Sequence, residues 1–247
     1  MKNTEQADLR QWFAGYVKSF YTADAEIQPK IVQKEEHSLI VAGLCRDLAV
    51  SLGLDAADVL LAEAVGLCHD VGRFKQATLY RTFRDHESVD HGRLGVEEMV
   101  AAGFADRLSA PDWKTLAFAV RWHNAVALPL AAGERLTLFG RIIRDSDKLD
   151  IYRVLPPDPP AAGCSPGLEA AILAGRSIDY QKVKTADDRK LVMLGWLYDI
   201  HYVWTLREIV GRGYVSRLLA SLPPSPARPE ICRIINGFTA AKLGCRP

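Results

Sequence analysis

Apolar residues recur at helical spacing from one end of this chain to the other. Ile40, Val41, Leu44 and Leu48 form one stripe, and Leu9, Trp12, Phe13, Tyr16 and Val17 form another. Steps of three and four residues place side chains on one face of a helix, whereas a half-buried strand alternates at every second residue. Convincing strand runs are few, so the pattern predicts an all-α fold. With 49% hydrophobic and 25% charged residues, the 247-residue chain has enough apolar surface to bury a sizeable core.

Capping and breaking residues divide the pattern. Asn3 or Thr4 suits the start of a first helix, and a second runs from after Pro29 to about Leu52, stopped by Gly53. Asp55 is placed to cap a third, which carries Val59 through Leu67 and is expected to stop near Gly72. A charged loop is expected from Arg73 to about Asp85. Helices over about Ser88–Ala102 and Trp113–His123 follow, then one that starts near Glu134 and carries LTLFGRIIRDSDKLDIYRVL. The Pro/Gly-rich stretch PPDPPAAGCSPG, residues 156–167, interrupts the pattern. Beyond it come a short helix near Leu168–Leu173, a long one over about Asp187–Val210, and two shorter pieces.

Polar residues enter the apolar faces at a few positions. In LCHDVGRFKQ, residues 67–76, an apolar helix runs into His69 and Asp70 side by side. His37 precedes Ile40, Val41, Leu44 and Leu48 by three, four, seven and eleven positions, so it points inward. His69 lies one turn after Val65, and His123 one turn after Ala119. Any one of these reads as a core histidine bonded to a backbone carbonyl. Three of them beside a buried carboxylate read as a divalent-cation site, because a buried carboxylate requires a partner and imidazole with carboxylate suits first-row metals. Adjacent helical residues diverge by about 100°, so His69 and Asp70 need a pocket wrapped around the helix end. Further on, Ile143, Asp147, Ile151 and Val154 share a face. Asp145 and Asp150 are alternatives there, read as surface charges or as partners of Arg144, Lys148 or Arg153.

The formal net charge of +1 offers no field for nucleic acid, which is not an expected partner. Five scattered cysteines without a CxxC pair fit a reducing compartment. The N-terminus MKNTEQADLRQW lacks the apolar core of a signal peptide, and charges break every apolar run before bilayer length. The expectation is a cytoplasmic protein with no membrane association. The stretch LVMLGWLYDIHYVWTL reads as core, or as the face of a homodimer.

His37, the doublet His69-Asp70 followed by VGR, and Asp147 in SDKLD together resemble the HD superfamily of metal-dependent phosphohydrolases. The resemblance spans residues 37–153. It implies an HD-domain helical bundle within a single all-α domain of residues 1–247. The core would cover about 30–155, with a C-terminal helical extension over about 165–247. His37, His69, Asp70 and Asp147 would bind one ion. His91 in DHGRLG and His123 in RWHN resemble ligands of a second, with Asp70 bridging the two and serving as the catalytic carboxylate. His86 would be a supporting or substrate contact, and His201 a core or surface residue.

Paired divalent ions clamp a phosphoryl group and activate a water, so the implied activity is hydrolysis of a nucleotide or other small phosphate ester. One or two ions per chain, of Mn, Fe, Ni, Co, Zn or Mg, fit such a ligand set. Arg73, Lys75 and Lys148 are the expected phosphate contacts. The HHE and GYP motifs of the cyclic-dinucleotide phosphodiesterase subgroup are missing, which argues against cyclic di-GMP as substrate. The same count of four histidines and two aspartates also resembles HD-fold diiron oxygenases. A non-catalytic nucleotide-binding module is the third reading.

Overall fold

A computed structural model of the protein describes residues 1–154, 163–178 and 180–244. Helices dominate, and there is no strand among the described residues. No helix is long and apolar enough to cross a membrane. Two compact units emerge, residues 1–147 and 148–247.

The first unit opens with α1, Asn3–Lys18, which buries Leu9, Phe13 and Val17. Next, α2 spans Ile27–Ser51. It begins two residues before Pro29 because the first turn leaves its N–H groups without helical partners and so tolerates proline. Asp24 Oδ1 caps it, accepting from the backbone N–H of Glu26 at 2.9 Å and of Ile27 at 3.2 Å. As expected, Asp55 caps α3, Ala56–Cys68, by accepting from the Asp58 N–H.

The chain then departs from expectation. The segment expected to be a charged loop is largely α4, Val71–Tyr80. Lys75 lies toward solvent, while Val71, Phe74, Gln76 and Ala77 turn inward and Arg73 is largely buried. Phe74 is central, with its ring 5.9 Å from Phe13 and 6.3 Å from Phe20. Burying such a side chain contributes about 1.5–3 kcal/mol, enough to hold a short helix. Arg81, at φ 57°, ends it.

After a short 3₁₀ turn at Asp85–Glu87, α5 spans His91–Ala101, α6 Phe104–Arg107, α7 Ala110–Trp122 and α8 Glu134–Arg153. In this unit α2 packs along α3, α4 on α5, and α5 on α7. Two glycines allow the close approaches. A Cβ on Gly72 would stand 2.8 Å from the Gly95 nitrogen and collide with the His91 carbonyl. One on Gly92 would stand 2.9 Å from the carbonyls of Val120 and Arg121. Gly72 is therefore not a helix stop; it lets α4 touch the backbone of α5.

The second unit comprises the end of α8 with α9, Pro166–Leu173; α10, Ala186–Trp196; α11, Val203–Gly211; α12, Tyr214–Ser221; and α13, Arg228–Leu243. The single long helix expected over Asp187–Val210 is broken. A 3₁₀ turn at Leu197–Asp199 leads into extended backbone at Ile200 and Tyr202. The run Ile-His-Tyr-Val-Trp has poor helix propensity, and tertiary contacts settle the matter. The Tyr198 hydroxyl donates to the Ile172 carbonyl at 3.0 Å, and its ring packs on Phe238. Leu191, Val192, Leu194 and Leu197 are buried as core of this unit. Residues 156–162 of the Pro/Gly-rich break lie outside the described residues.

Candidate metal centre

Six side chains converge within the first unit, four of them from helix ends. His37 lies within α2 and Asp147 within α8. His69 directly follows α3, Asp70 directly precedes α4, His91 opens α5 and His123 directly follows α7. The junction between α3 and α4 explains how adjacent residues share a target. Asp70, at φ −104° and ψ 15°, lies outside helical geometry, so the 100° divergence of a continuous helix does not apply.

Asp70 stands in the middle. Its Oδ2 lies 3.7 Å from His37 Nε2 and 3.5 Å from His69 Nε2. Its Oδ1 lies 3.3 Å from His91 Nε2 and 3.6 Å from His123 Nε2. Each histidine pair faces itself: Nε2 to Nε2 is 3.2 Å for His37 and His69, and 3.0 Å for His91 and His123. Asp147 Oδ1 joins the first pair at 3.0 Å from His37 and 3.8 Å from His69. The sets His37–His69–Asp70 and Asp70–His91–His123 each present three donor atoms within 4.8 Å of one another.

The donor chemistry fits a cation. His69 Nδ1 bonds the Gly66 carbonyl at 2.7 Å, His123 Nδ1 the Val120 carbonyl at 2.8 Å, and His91 Nδ1 the Asp85 carboxylate at 2.7 Å. All three partners accept, so each Nδ1 carries the proton and each Nε2 turns a lone pair inward. Lone pairs thus meet lone pairs and carboxylate oxygens. Ligands bound at about 2.1 Å stand roughly 3.0 Å apart on an octahedron and 3.4 Å apart on a tetrahedron, which matches the separations seen here.

Protonation points the same way. Burial lowers the His69 imidazole from its usual value and takes His91 down to about 4, leaving both neutral at pH 7. Burial alone would raise the Asp70 carboxyl, but the adjacent Lys34 ammonium leads the effects that outweigh it and hold it well below the carboxylate range.

Residues 35–152 match the family model of the HD domain. This is an HD-domain protein. HD domains bind divalent metals, and the family consists mostly of metal-dependent phosphohydrolases. No curated protein and no solved structure shows significant similarity to the chain.

Three expected phosphate contacts have partners of their own. Arg73 donates through NH1 to Gln76 Oε1 at 2.8 Å, the Phe83 carbonyl at 2.5 Å and Asp85 Oδ1 at 3.0 Å. Lys75 pairs with Glu98 at 2.6 Å, and Lys148 with Asp199 at 2.5 Å within the second unit. His86 is 73% exposed beside Glu87, and His201 is exposed. Asp145 and Asp150, read from sequence as surface charges or ion-pair partners, are buried, and Asp150 pairs with Arg153 at 2.7 Å.

The HD domain also uses residues that the sequence reading passed over. Asp85 accepts from His91, Arg73, Gln76 and Asn124 together. Arg144, buried, donates to the carbonyls of His123, Ala125 and Val126 and so fixes the turn after α7. Lys34 Nζ donates to Asp70 Oδ2 at 2.6 Å. Only Lys34 had a legible signal: it lies three positions before His37, on the same helix face.

Proposed function

We propose that this HD-domain protein is a divalent-metal-dependent phosphohydrolase that cleaves a nucleotide or other small phosphate ester in the cytoplasm through an activated water. The observation that carries this reading is Asp70, one carboxylate whose two oxygens each face a different histidine pair. His37, His69, Asp70 and Asp147 would hold one ion, and Asp70, His91 and His123 a second. When bound, such ions neutralise phosphoryl charge and lower the pKa of a water.

The chain's own contribution is preorganisation. Phosphoryl transfer asks mainly for positioning and charge neutralisation. The Gly66 and Val120 carbonyls and the Asp85 carboxylate orient three imidazoles in advance, and Asp70 is held as an anion. The test is elemental analysis of protein purified without added metal, followed by assays on a panel of nucleotides and phosphate esters with added manganese. Bound metal with metal-dependent phosphate release supports the reading; a protein that never takes up metal sinks it. The convergence of all four histidines with two aspartates also suits a diiron oxygenase. Two irons per chain with oxygen consumption, and no hydrolysis, would establish that alternative.

A further inference from the structure

Recognition of a phosphate at a carboxylate-rich centre requires a cation that reaches the phosphoryl oxygens and still has N–H groups to give. Most basic side chains around the His69-Asp70 doublet are engaged elsewhere. Arg73 Nη1 is tied to Gln76, the Phe83 carbonyl and Asp85, with its Nε 3.5 Å from Asp70 Oδ1, and Lys75 is tied to Glu98. Arg81 is forked between Asp24 and Glu26.

Lys34 differs. Its Nζ donates to Asp70 Oδ2 at 2.6 Å, the same oxygen that faces His37 and His69. The ammonium also lies 5.5 Å from the centroid of the Phe83 ring. Its side chain is 20% exposed and that of Asp70 3%, so Lys34 reaches from the solvent edge to the buried carboxylate. An ammonium has three donors, and Asp70 takes one. A phosphoryl group held at Asp70 falls within reach of a four-carbon side chain already anchored there.

We propose that Lys34 binds a non-bridging oxygen of the substrate phosphate, with Asp70 and Phe83 pre-positioning its ammonium for that contact. The proposal rests on the phosphohydrolase reading and places the phosphate contact on Lys34 rather than on Lys75.

The test uses full-length, manganese-loaded protein and inorganic phosphate as the probe, with calorimetry on wild type, Lys34→Met and Lys34→Arg. Lys34→Met should weaken phosphate binding by about tenfold or more, the loss of one hydrogen bond to a charged group. Lys34→Arg should regain most of it. Manganese content and far-UV circular dichroism should match wild type in both variants, and KM for a phosphate ester should rise more than kcat falls. Wild-type phosphate affinity in Lys34→Met would overturn the proposal. So would a Lys34→Met protein that loses manganese along with phosphate, because Lys34 would then serve only to hold Asp70. A wild type that binds manganese yet neither binds phosphate nor hydrolyses any ester would overturn the phosphohydrolase reading, and the role of Lys34 with it.

Discussion

Two buried carboxylate clusters, one in each unit, look alike by burial and differ in what faces the oxygens. In the second unit Asp188 accepts from the Ser165 backbone N–H at 2.7 Å, the Ser165 hydroxyl at 2.9 Å, and the backbone N–H groups of Lys184 and Thr185 at 2.9 and 3.0 Å. Beside it, Asp187 accepts from the Gly163 N–H and pairs with Lys190. These bonds also form a capping box at the start of α10. In the first unit Asp70 accepts from Lys34, but its oxygens also face the Nε2 atoms of His69, His91 and His123, which are themselves acceptors. Burial of acids therefore does not mark a site. A carboxylate whose partners are all donors holds the fold, and one that also faces several acceptors calls for a cation.

The comparison is open to five attacks. The largest effect is expected from Asp70→Ala, which should abolish metal binding and lower activity by about a thousandfold or more, beyond the roughly 10–100-fold that a supporting residue costs. Circular dichroism should stay helical; unchanged metal content by elemental analysis would break the contrast. Asp188→Ala should do the reverse. It leaves buried N–H groups unpaired and should cost about 2–4 kcal/mol in urea unfolding while metal content holds.

The Asp188 cluster also predicts a pH dependence. Burial alone would raise the Asp188 carboxyl, but its hydrogen bonds from Ser165, Lys184 and Thr185 outweigh it and hold it below its ordinary value. The native value therefore lies below the unfolded one. The contribution to stability is complete above the unfolded value of about 3.9 and is lost as pH falls through the native one. A stability–pH curve for Asp188→Asn should accordingly show a flatter acid limb than wild type.

Asp85→Ala should weaken the second ion by about 10–100-fold, because His91 loses the acceptor that fixes its tautomer. Competitive metal titration with a chelator reads this directly, and equal affinities in variant and wild type would mean that Asp85 only braces the loop. The smallest effect is expected for Lys75→Ala. Its exposed pair with Glu98 contributes about 0–1 kcal/mol, so stability should barely move and KM should not change. A raised KM would restore Lys75 as a phosphate contact.

The legible parts of this protein were those written in local pattern. His37 could be aimed inward because it shares a stripe with Val41, Leu44 and Leu48, and all three are buried. Asp55 could be read as a cap from its place before an apolar run, and it is one. The misreadings have a common cause. The segment from Arg73 onward looked like loop because its outer face is charged, yet Phe74 supplies the burial that makes it α4. The long helix expected over Asp187–Val210 contains no proline, and its one glycine, Gly195, still lies within α10; contacts made by Tyr198 break the helix just beyond it. Asp85 lay next to His86 in the sequence, and only the fold shows which of the two turns to the centre.

By itself the sequence determined the helical class and the supply of donors, because periodicity and residue type are local properties. The tertiary structure decided where each donor points. The direction of Asp70 depends on a backbone junction between α3 and α4, and the approach of His91 and His123 depends on α5 meeting α4 at Gly72 and α7 at Gly92. Those are contacts through space between segments far apart in the chain, and no local spacing encodes them.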